Sequence, residues 1–426
     1  MSIKSKFKSN DGTLAKNTGM LFLLTISNYV FNFITIPYQT RILEPEIFGN
    51  ISFAMSVMSY FQLLTDFGFL LSATEDIAKE RENSHKVSKI FSAVMCCKLF
   101  LVAVSFIILS VLCLTVNRFK QDIPLFFLYW ISYSIYAFLP DFLYRGIENM
   151  QAITIRSVLI KAFTTCLIFV LLRKPSQYYI IPILTGIGNL GAVIFTYVHV
   201  RKMGYSLVRV KVREIIDAFR RSSFFFFSRI ASSVFTATNT LILGLKFGDK
   251  SALVGHYSSA EKAITIAKQT ITPVSDSLYP YMIKNRNFKM IKKLLLIGMP
   301  VFFVGCSFVM LTANDLCTIV FGKDYYAAGT YLRLLAPVVF FAYPGTLLGF
   351  PTLTPMGLAK HANISTILGA IIQVSALIII HFTIGISATA LCILTCATEL
   401  FMCAYRAVIV IKNRHLLSSP DQTVSA

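Results

Sequence analysis

Charge is what this sequence has least of. Only 14% of its 426 residues are Asp, Glu, Lys or Arg, against about 25% in a soluble globular domain. Acidic residues are the scarcer half, 20 against 40 Lys and Arg. No soluble core could enclose the apolar surface this composition leaves, whereas a bilayer accepts it. Enzyme signatures are missing too. No P-loop occurs, so ATP is not the direct fuel, and the six histidines are scattered without metal spacing. Asp66-Phe67-Gly68 spells a kinase triplet, but no glycine-rich loop or H-R-D string accompanies it. The nine cysteines lie in or beside apolar runs, without a metal-type C-x-x-C pair in any loop, and read as small packing residues.

What the chain has in quantity is hydrophobic length. Apolar residues make up 55% of it, and the mean hydropathy is +0.67. The runs are about 20 residues long, the length of a spanning helix and not of a transmembrane β-strand. The first, Thr18–Ile36, is too long for a signal-peptide core and no A-x-A site follows it, so a retained helix is expected. The net charge of +20 does not indicate nucleic acid. Its basic residues fall in short loops between apolar runs, where positive flanks set topology.

The sequence therefore predicts an all-α polytopic membrane protein of about twelve transmembrane helices in two six-helix lobes. The expected spans are 18–38, 48–70, 89–116, 124–144, 154–172, 178–200, 222–245, 252–278, 294–313, 331–350, 362–382 and 385–410. Loops on the N-terminal side hold 26 Lys and Arg against eight on the other, which predicts both termini in the cytoplasm. The most basic connection lies near the midpoint. It divides the chain into an N-terminal lobe (1–203), a basic cytoplasmic linker (204–221) and a C-terminal lobe (222–426). Two readings fit the linker. It is a topogenic segment, or a surface helix on anionic headgroups with Val208, Val212, Ile215, Ile216 and Phe219 as its apolar edge.

A shift of 206 residues brings the halves into register: Phe48-Gly49 and Ala54 fall on Val254-Gly255 and Ala260. The second helix carries Ser52, Ser56, Ser59, Gln62 and Asp66 at spacings of three and four, one polar helix face. Their shifted partners, Ser258, Lys262, Thr265, Lys268 and Thr272, are also polar. Two lobes facing a hydrated cavity would account for this, as would polar residues joining packed helices.

Ionisable residues inside spans carry more weight, because a charge at mid-bilayer costs about 2.5–3.5 kcal/mol on insertion scales. Lys98, Asp141, Arg229, Glu261, Lys262, Lys268, Asp276, Arg333, Glu399 and Arg406 lie inside or at the ends of predicted spans. Arg229, beside Ser232, Ser233, Thr236 and Asn239 at helical spacing, joins Lys262 and Lys268 as the leading set. Three cations lining one lobe suit an anionic head group such as pyrophosphate, with structural pairing as the alternative. With Asn239 and Gln62 they form the predicted substrate cavity. Glu399 has no cation beside it in sequence and is a candidate for a coupling proton or a structural hydrogen bond. Asp66 and Asp141 lie near span ends and read as cap or gate residues.

Pro37-Tyr38-Gln39-Thr40-Arg41-Ile42-Leu43 followed by Phe48-Gly49 resembles the first-helix exit of Wzx-type O-antigen flippases. Asp66-Phe67-Gly68-Phe69 with Ser72-Ala73-Thr74 and Ile77-Ala78 is similar too, as is Gly146-Ile147-Glu148-Asn149-Met150. In the second half Ala260-Glu261-Lys262, Pro273, Tyr279-Pro280 and Thr398-Glu399 also fit, whereas Glu75 stands where the family often has a basic residue. The resemblance implies the multidrug/oligosaccharidyl-lipid/polysaccharide exporter fold, two six-helix bundles in a V. It implies a cargo of undecaprenyl-pyrophosphate bearing one O-antigen repeat unit, flipped from the cytoplasmic to the periplasmic leaflet of a bacterial inner membrane. Arg41, in the matching exit string, joins Glu399, Asp66 and Asp141 as a coupling or gating candidate. Membrane lipids and other polysaccharide-assembly proteins are the expected partners, with no cofactor, metal or nucleic acid.

Two alternatives belong to other classes. A drug or small-solute exporter of the same fold would call for carboxylates in a smaller cavity. A membrane polysaccharide polymerase or glycosyltransferase would carry a large extracytoplasmic loop, but the longest one expected here runs only from about 314 to 330.

Overall fold

In hydrocarbon every peptide N–H and C=O must bond within its own segment, so the long apolar runs fold as helices. The computed structural model describes residues 3–248 and 252–417. The side chains of 3–16, 18, 227–228 and 231–236 lie outside the described set, Ser232, Ser233 and Thr236 among them, as does Lys250 entirely. All regular structure among the described residues is helical.

The first half runs α1 (Ile3–Ile42), α2 (Pro45–Asp66), α3 (Phe69–Glu80), α4 (Ser84–Thr115), α5 (Asn117–Lys120), α6 (Ile123–Ala137), α7 (Asp141–Gly146), α8 (Met150–Leu171) and α9 (Ile180–Lys202). The second runs α10 (Val212–Phe247), α11 (Ala252–Gln269), α12 (Thr272–Asn285), α13 (Phe288–Phe321), α14 (Ala328–Leu348), α15 (Phe350–Leu353), α16 (Ala359–Thr383) and α17 (Ala388–Lys412). Local chemistry sets several starts. Side chains of Asn83, Asp122, Asn149 and Ser387 accept the backbone N–H three residues on, opening α4, α6, α8 and α17.

Ten spans among the described residues are long and apolar enough to cross a membrane. The remaining two of the expected twelve, 222–245 and 252–278, fall on α10 and on α11 with α12. These are the helices carrying Arg229, Glu261, Lys262 and Lys268 among serines and threonines, which dilutes their hydropathy.

The 206-residue repeat reappears in the element bounds. Shifting α4 gives 290–321, and α13 is Phe288–Phe321. Shifting α1 gives 209–248 against Val212–Phe247 for α10, and α2 gives 251–272 against Ala252–Gln269 for α11. The short α5 falls on a single 3-10 turn, Lys323–Tyr325.

Four of the spans expected to be continuous are broken. The second stops at Phe67 and Gly68, both left-handed at φ 38° and 80°, and its repeat mate stops between Gln269 and Thr272. The fourth of each half breaks as well, at 138–140 and at Gly349. Pro140 and Pro351 cannot donate, so carbonyls one turn earlier lose their helical partners. Each break recruits replacements. Lys98 donates to the Ala137 carbonyl at 2.6 Å, and the Tyr197 hydroxyl to that of Phe138 at 3.3 Å. In the second half Arg406 donates to the Gly345 carbonyl at 2.8 Å, and the Thr352 hydroxyl to that of Leu347 at 2.7 Å. The two cations thus perform the same task at corresponding breaks, one from α4 and the other from α17.

The chain divides into two compact units, Met1–Ser233 and Val234–Ala426, and the division falls inside α10. In the first unit Phe69, Ile77, Phe91, Phe142, Leu143 and Tyr144 are buried together, with Ile215, Ala218 and Phe219 of α10 packed among them. Phe226 stacks on Phe67 at 4.5 Å, and Ser222 meets Ser72 at 2.6 Å. The segment before α10 is tied down by Ser88 and Ser92, whose hydroxyls accept the N–H groups of Ser206 and Val208. Of its expected apolar edge, Ile215 and Phe219 turn to this core, while Val212 and Ile216 stay exposed. In the second unit α14 packs against α11, α13 and α17.

The turn Gly146-Ile147-Glu148-Asn149-Met150 has a structural account. A Cβ on Gly146 would lie 2.5 Å from Ile77 Cγ2, Glu148 is left-handed at φ 60°, and Asn149 caps α8.

Two outcomes follow for stability in detergent. A Cβ on Gly68 would lie 2.7 Å from both the Phe225 Cβ and the Ser222 carbonyl. Gly68→Ala should therefore lower the thermal midpoint, at a cost of about 1–3 kcal/mol or more. Gly204→Ala, also at positive φ but with nothing within 4 Å, should cost less. Arg406→Leu should destabilise by about 1–3 kcal/mol by leaving buried acceptors unmet, with partial recovery in Arg406→Lys. Fluorescence-detected size-exclusion melts read both.

Candidate functional site

The first unit's site is built on α2. This helix is two-thirds buried in its span, and Ser52 and Ser56, two of its predicted polar positions, lie inside the bundle. Past its first turn the residues of α2 that are not buried are Met55, Ser59, Tyr60, Gln62, Leu64 and Asp66, and of these Met55, Ser59, Gln62 and Asp66 follow at steps of four, three and four. Shifted by 206, the same register gives Glu261, Thr265 and Lys268 on α11 and Thr272 at the start of α12, none of them buried. The repeat therefore preserves an open face whose chemistry differs between the halves.

Asp66 receives Arg229 Nη1 at 3.3 Å. The structure thus assigns Arg229 to the first unit, through the part of α10 that packs there, and not to one lobe with both lysines. Lys98 is buried nearby, its ammonium over the Phe142 ring at 5.6 Å. Asp141 is held at 2.7 Å by Arg156, whose other Nη donates to Thr196 at 3.2 Å. This chain of contacts ties α7, α8 and α9 together. Arg41 lies exposed in the last turn of α1.

In the second unit Lys268 Nζ lies 2.7 Å from Glu399 Oε2. Glu399 is not a lone carboxylate: its cation comes from α11, 131 residues earlier in the chain. Glu261 accepts the Thr240 hydroxyl at 2.6 Å and that of Tyr257 at 3.3 Å. Lys262 is half-buried beside it. Asn239 is buried and gives its amide protons to Tyr257 and Thr395 at 3.0 and 2.9 Å. Its carbonyl accepts from Gln373, which in turn accepts the Thr398 hydroxyl. Asn239 thus joins α10 to α11, α16 and α17, inside the bundle.

Sequence reasoning missed three features. The roles of Lys98 and Arg406 at the helix breaks were signalled only by nearby proline and glycine. Arg118 and Asp122 form a buried knot in which Arg118 meets Asn50 at 2.7 Å and Asp122 accepts Tyr178 and Tyr179 at 2.9 and 2.8 Å. Tyr136 stays exposed on α6, a helix that packs against α2. Among the described residues no group of His, Cys, Asp and Glu is arranged to hold a metal ion.

Lipid II flippase MurJ in an inward closed conformation superposes with a TM-score of 0.62 at 14% identity, covering 93% of this chain and 90% of that one. An inward-facing multidrug resistance MATE family transporter of the MOP superfamily superposes with a TM-score of 0.60 at 15% identity, covering 94% and 96%. These likenesses bear out the expected fold, about twelve spans in two lobes. Two curated relatives carry the name "Putative O-antigen transporter". One, from Shigella dysenteriae, is 27% identical over 84% of this chain and 91% of its own length. The other, from Escherichia coli (strain K12), is 26% identical over 96% and 99%. A family model described as "Polysaccharide biosynthesis protein" matches residues 14–286. The open polar register, the paired charges within the spans and the strings around Asp66 and Gly146 all fall on that match or its repeat, and the chain belongs to the polysaccharide biosynthesis protein family.

Proposed function

We propose that this chain is a flippase that carries an undecaprenyl-pyrophosphate-linked O-antigen repeat unit from the cytoplasmic to the periplasmic leaflet of a bacterial inner membrane. The observation that carries the reading is the Lys268–Glu399 pair, an ion pair on the open face of a helix inside an apolar-walled lobe. Desolvating two charges is costly, and hydrophobic packing would serve stability at least as well. A partly open cation there suits exchange of one anion for another.

In this mechanism the cargo's phosphates displace Glu399 from Lys268 in the second unit. Charge-assisted hydrogen bonds to phosphate replace those to carboxylate, so the cation is never left bare. Lys262 adds positive charge on α11. The released Glu399 carboxylate then repels the phosphates and speeds their departure once the site reopens. Asp141 and Arg41 act as gating residues at span ends, and the Asn239 network keeps α10 in line with α16 and α17. Alternation of the two lobes exposes the site to each leaflet in turn, while the lipid tail stays in hydrocarbon. No covalent step is involved, so the protein works as a transporter and not an enzyme. The excess of Lys and Arg on one set of loops supports cytoplasmic termini.

Export of drugs or small solutes is the second reading, since MATE structures share the fold. The relatives' names across nearly the whole chain weigh toward the lipid-linked cargo.

Deleting the gene should make undecaprenyl-linked repeat units accumulate on the cytoplasmic face, and their absence there would sink the reading. In complementation, Lys268→Gln at normal protein level should lower surface polysaccharide by about tenfold, the equivalent of about 1.4 kcal/mol. Glu399→Gln should instead tighten binding of the pyrophosphate lipid by purified protein while slowing transport. Unchanged behaviour in both variants would remove the pair from the cargo path.

A further inference from the structure

The turn between α12 and α13 is the repeat mate of the turn between α3 and α4. Shifted by 206, α3 falls on 275–286 against Thr272–Asn285 for α12, and α4 on 290–321 against Phe288–Phe321 for α13. Both turns are basic, but they treat their cations differently. In the first unit Lys79, Arg81, Lys86 and Lys89 each meet a carboxylate, those of Glu75, Glu148, Glu80 and Glu214, at 2.6 to 3.6 Å. In the second unit Lys284, Arg286, Lys289, Lys292 and Lys293 are all exposed, and among the described residues none of them is in an ion pair. No Asp or Glu stands in the chain between Asp276 and Asp315 to supply one.

Topogenesis does not account for the difference. The positive-inside rule counts Lys and Arg, with little weight on acidic neighbours, so paired and bare cations serve it equally. A wholly solvated turn does not account for its apolar side chains either. Tyr279, Tyr281, Ile283 and Met290 are exposed among the cations, at 36–49%. Tyrosines at a span end suit the headgroup level, where one end of the ring is apolar and the other wet. Phe288 packs the turn against Leu353, Met356, Ala362 and Val410, which gathers the ends of α15, α16 and α17 beside it. Two of those ends add Lys360 and Lys412, also exposed.

Along α13 the chemistry changes with depth. Lys289, Lys293, Leu296, Pro300 and Phe303 follow at steps of four, three, four and three, and each is exposed. None of the residues in this helix's most apolar stretch is buried. One face thus carries cations at its end and apolar side chains beneath, the profile of a phospholipid read from phosphate to acyl chain.

We infer that the α12–α13 turn is a docking site for an anionic phospholipid, its phosphate among Lys289, Lys292 and Lys293 and an acyl chain along Leu296 and Phe303. Charge and depth together select this occupant, because a free phosphate or an acidic protein surface would leave the apolar part of the face uncovered. The mate turn in the first unit offers no such site, since its own carboxylates already hold its cations. The site is separate from the Lys268–Glu399 pair and does not depend on the nature of the cargo.

The test uses purified, delipidated full-length protein titrated with dioleoyl phosphatidylglycerol or dioleoyl phosphatidylethanolamine, with bound lipid read by native mass spectrometry. Wild type should bind the anionic lipid about tenfold more tightly than the zwitterionic one. Asn285→Glu with Asn287→Glu keeps every Lys and Arg, and hence the topogenic signal, while neutralising the turn as its mate is neutralised. This pair should bring the two affinities within about twofold of each other. Lys292→Gln with Lys293→Gln should act alike, and Lys292→Arg with Lys293→Arg should retain the preference; if the glutamine pair fails to insert, the glutamate pair decides. Equal affinity of wild type for both lipids, an undiminished preference in the glutamate pair, or displacement of phosphatidylglycerol by inorganic phosphate would overturn the inference.

Discussion

Satisfaction of the peptide backbone where helices break within the bilayer is the constraint on which the rest depends. A freed carbonyl in hydrocarbon costs several kcal/mol, and this fold breaks its fourth span twice, once per half. Both breaks are answered by a long cationic side chain from another helix. Lys98 reaches the Ala137 carbonyl and Arg406 that of Gly345. These ligations let α6 and α14 end within a span, and so let the α7 and α15 segments turn and pack. They also divide the intramembrane charges by role. Lys98, Arg406 and Arg156 are consumed by structure, whereas Arg229 and Lys268 face carboxylates across an open helix face.

Much of the fold was legible because hydrocarbon is an undemanding reader. It asks for about 20 apolar residues and a helix, and hydropathy alone delivers both. The repeat was legible from the same periodicity, and element bounds such as those of α4 and α13 agree to within a few residues after the shift. The breaks were not, since proline and glycine in membrane helices are often tolerated without one. Phe67 gave no warning that it would adopt a left-handed turn beside Gly68.

The site was legible by position more than by partner. Gln62, Asp66 and Lys268 stand on the open faces that the polar spacing indicated. Their partners are remote in the chain: Asp66 meets Arg229 163 residues on, and Lys268 meets Glu399 131 residues on. Spacing along one helix cannot reveal a pairing between helices. It also cannot separate Ser52 and Ser56, which point into the bundle, from Ser59 and Gln62, which do not.

The boundary of the first compact unit falls in α10, well past the point where the repeat begins anew. Ile215, Ala218, Phe219 and Ser222 complete the core around Phe69 and Ser72, yet they belong by register to the second copy. A ribosome making this protein therefore cannot finish the first unit when its sixth span is done. It must first deliver the opening turns of the next helix, so an early half-chain waits in the membrane with an unfilled groove beside α3.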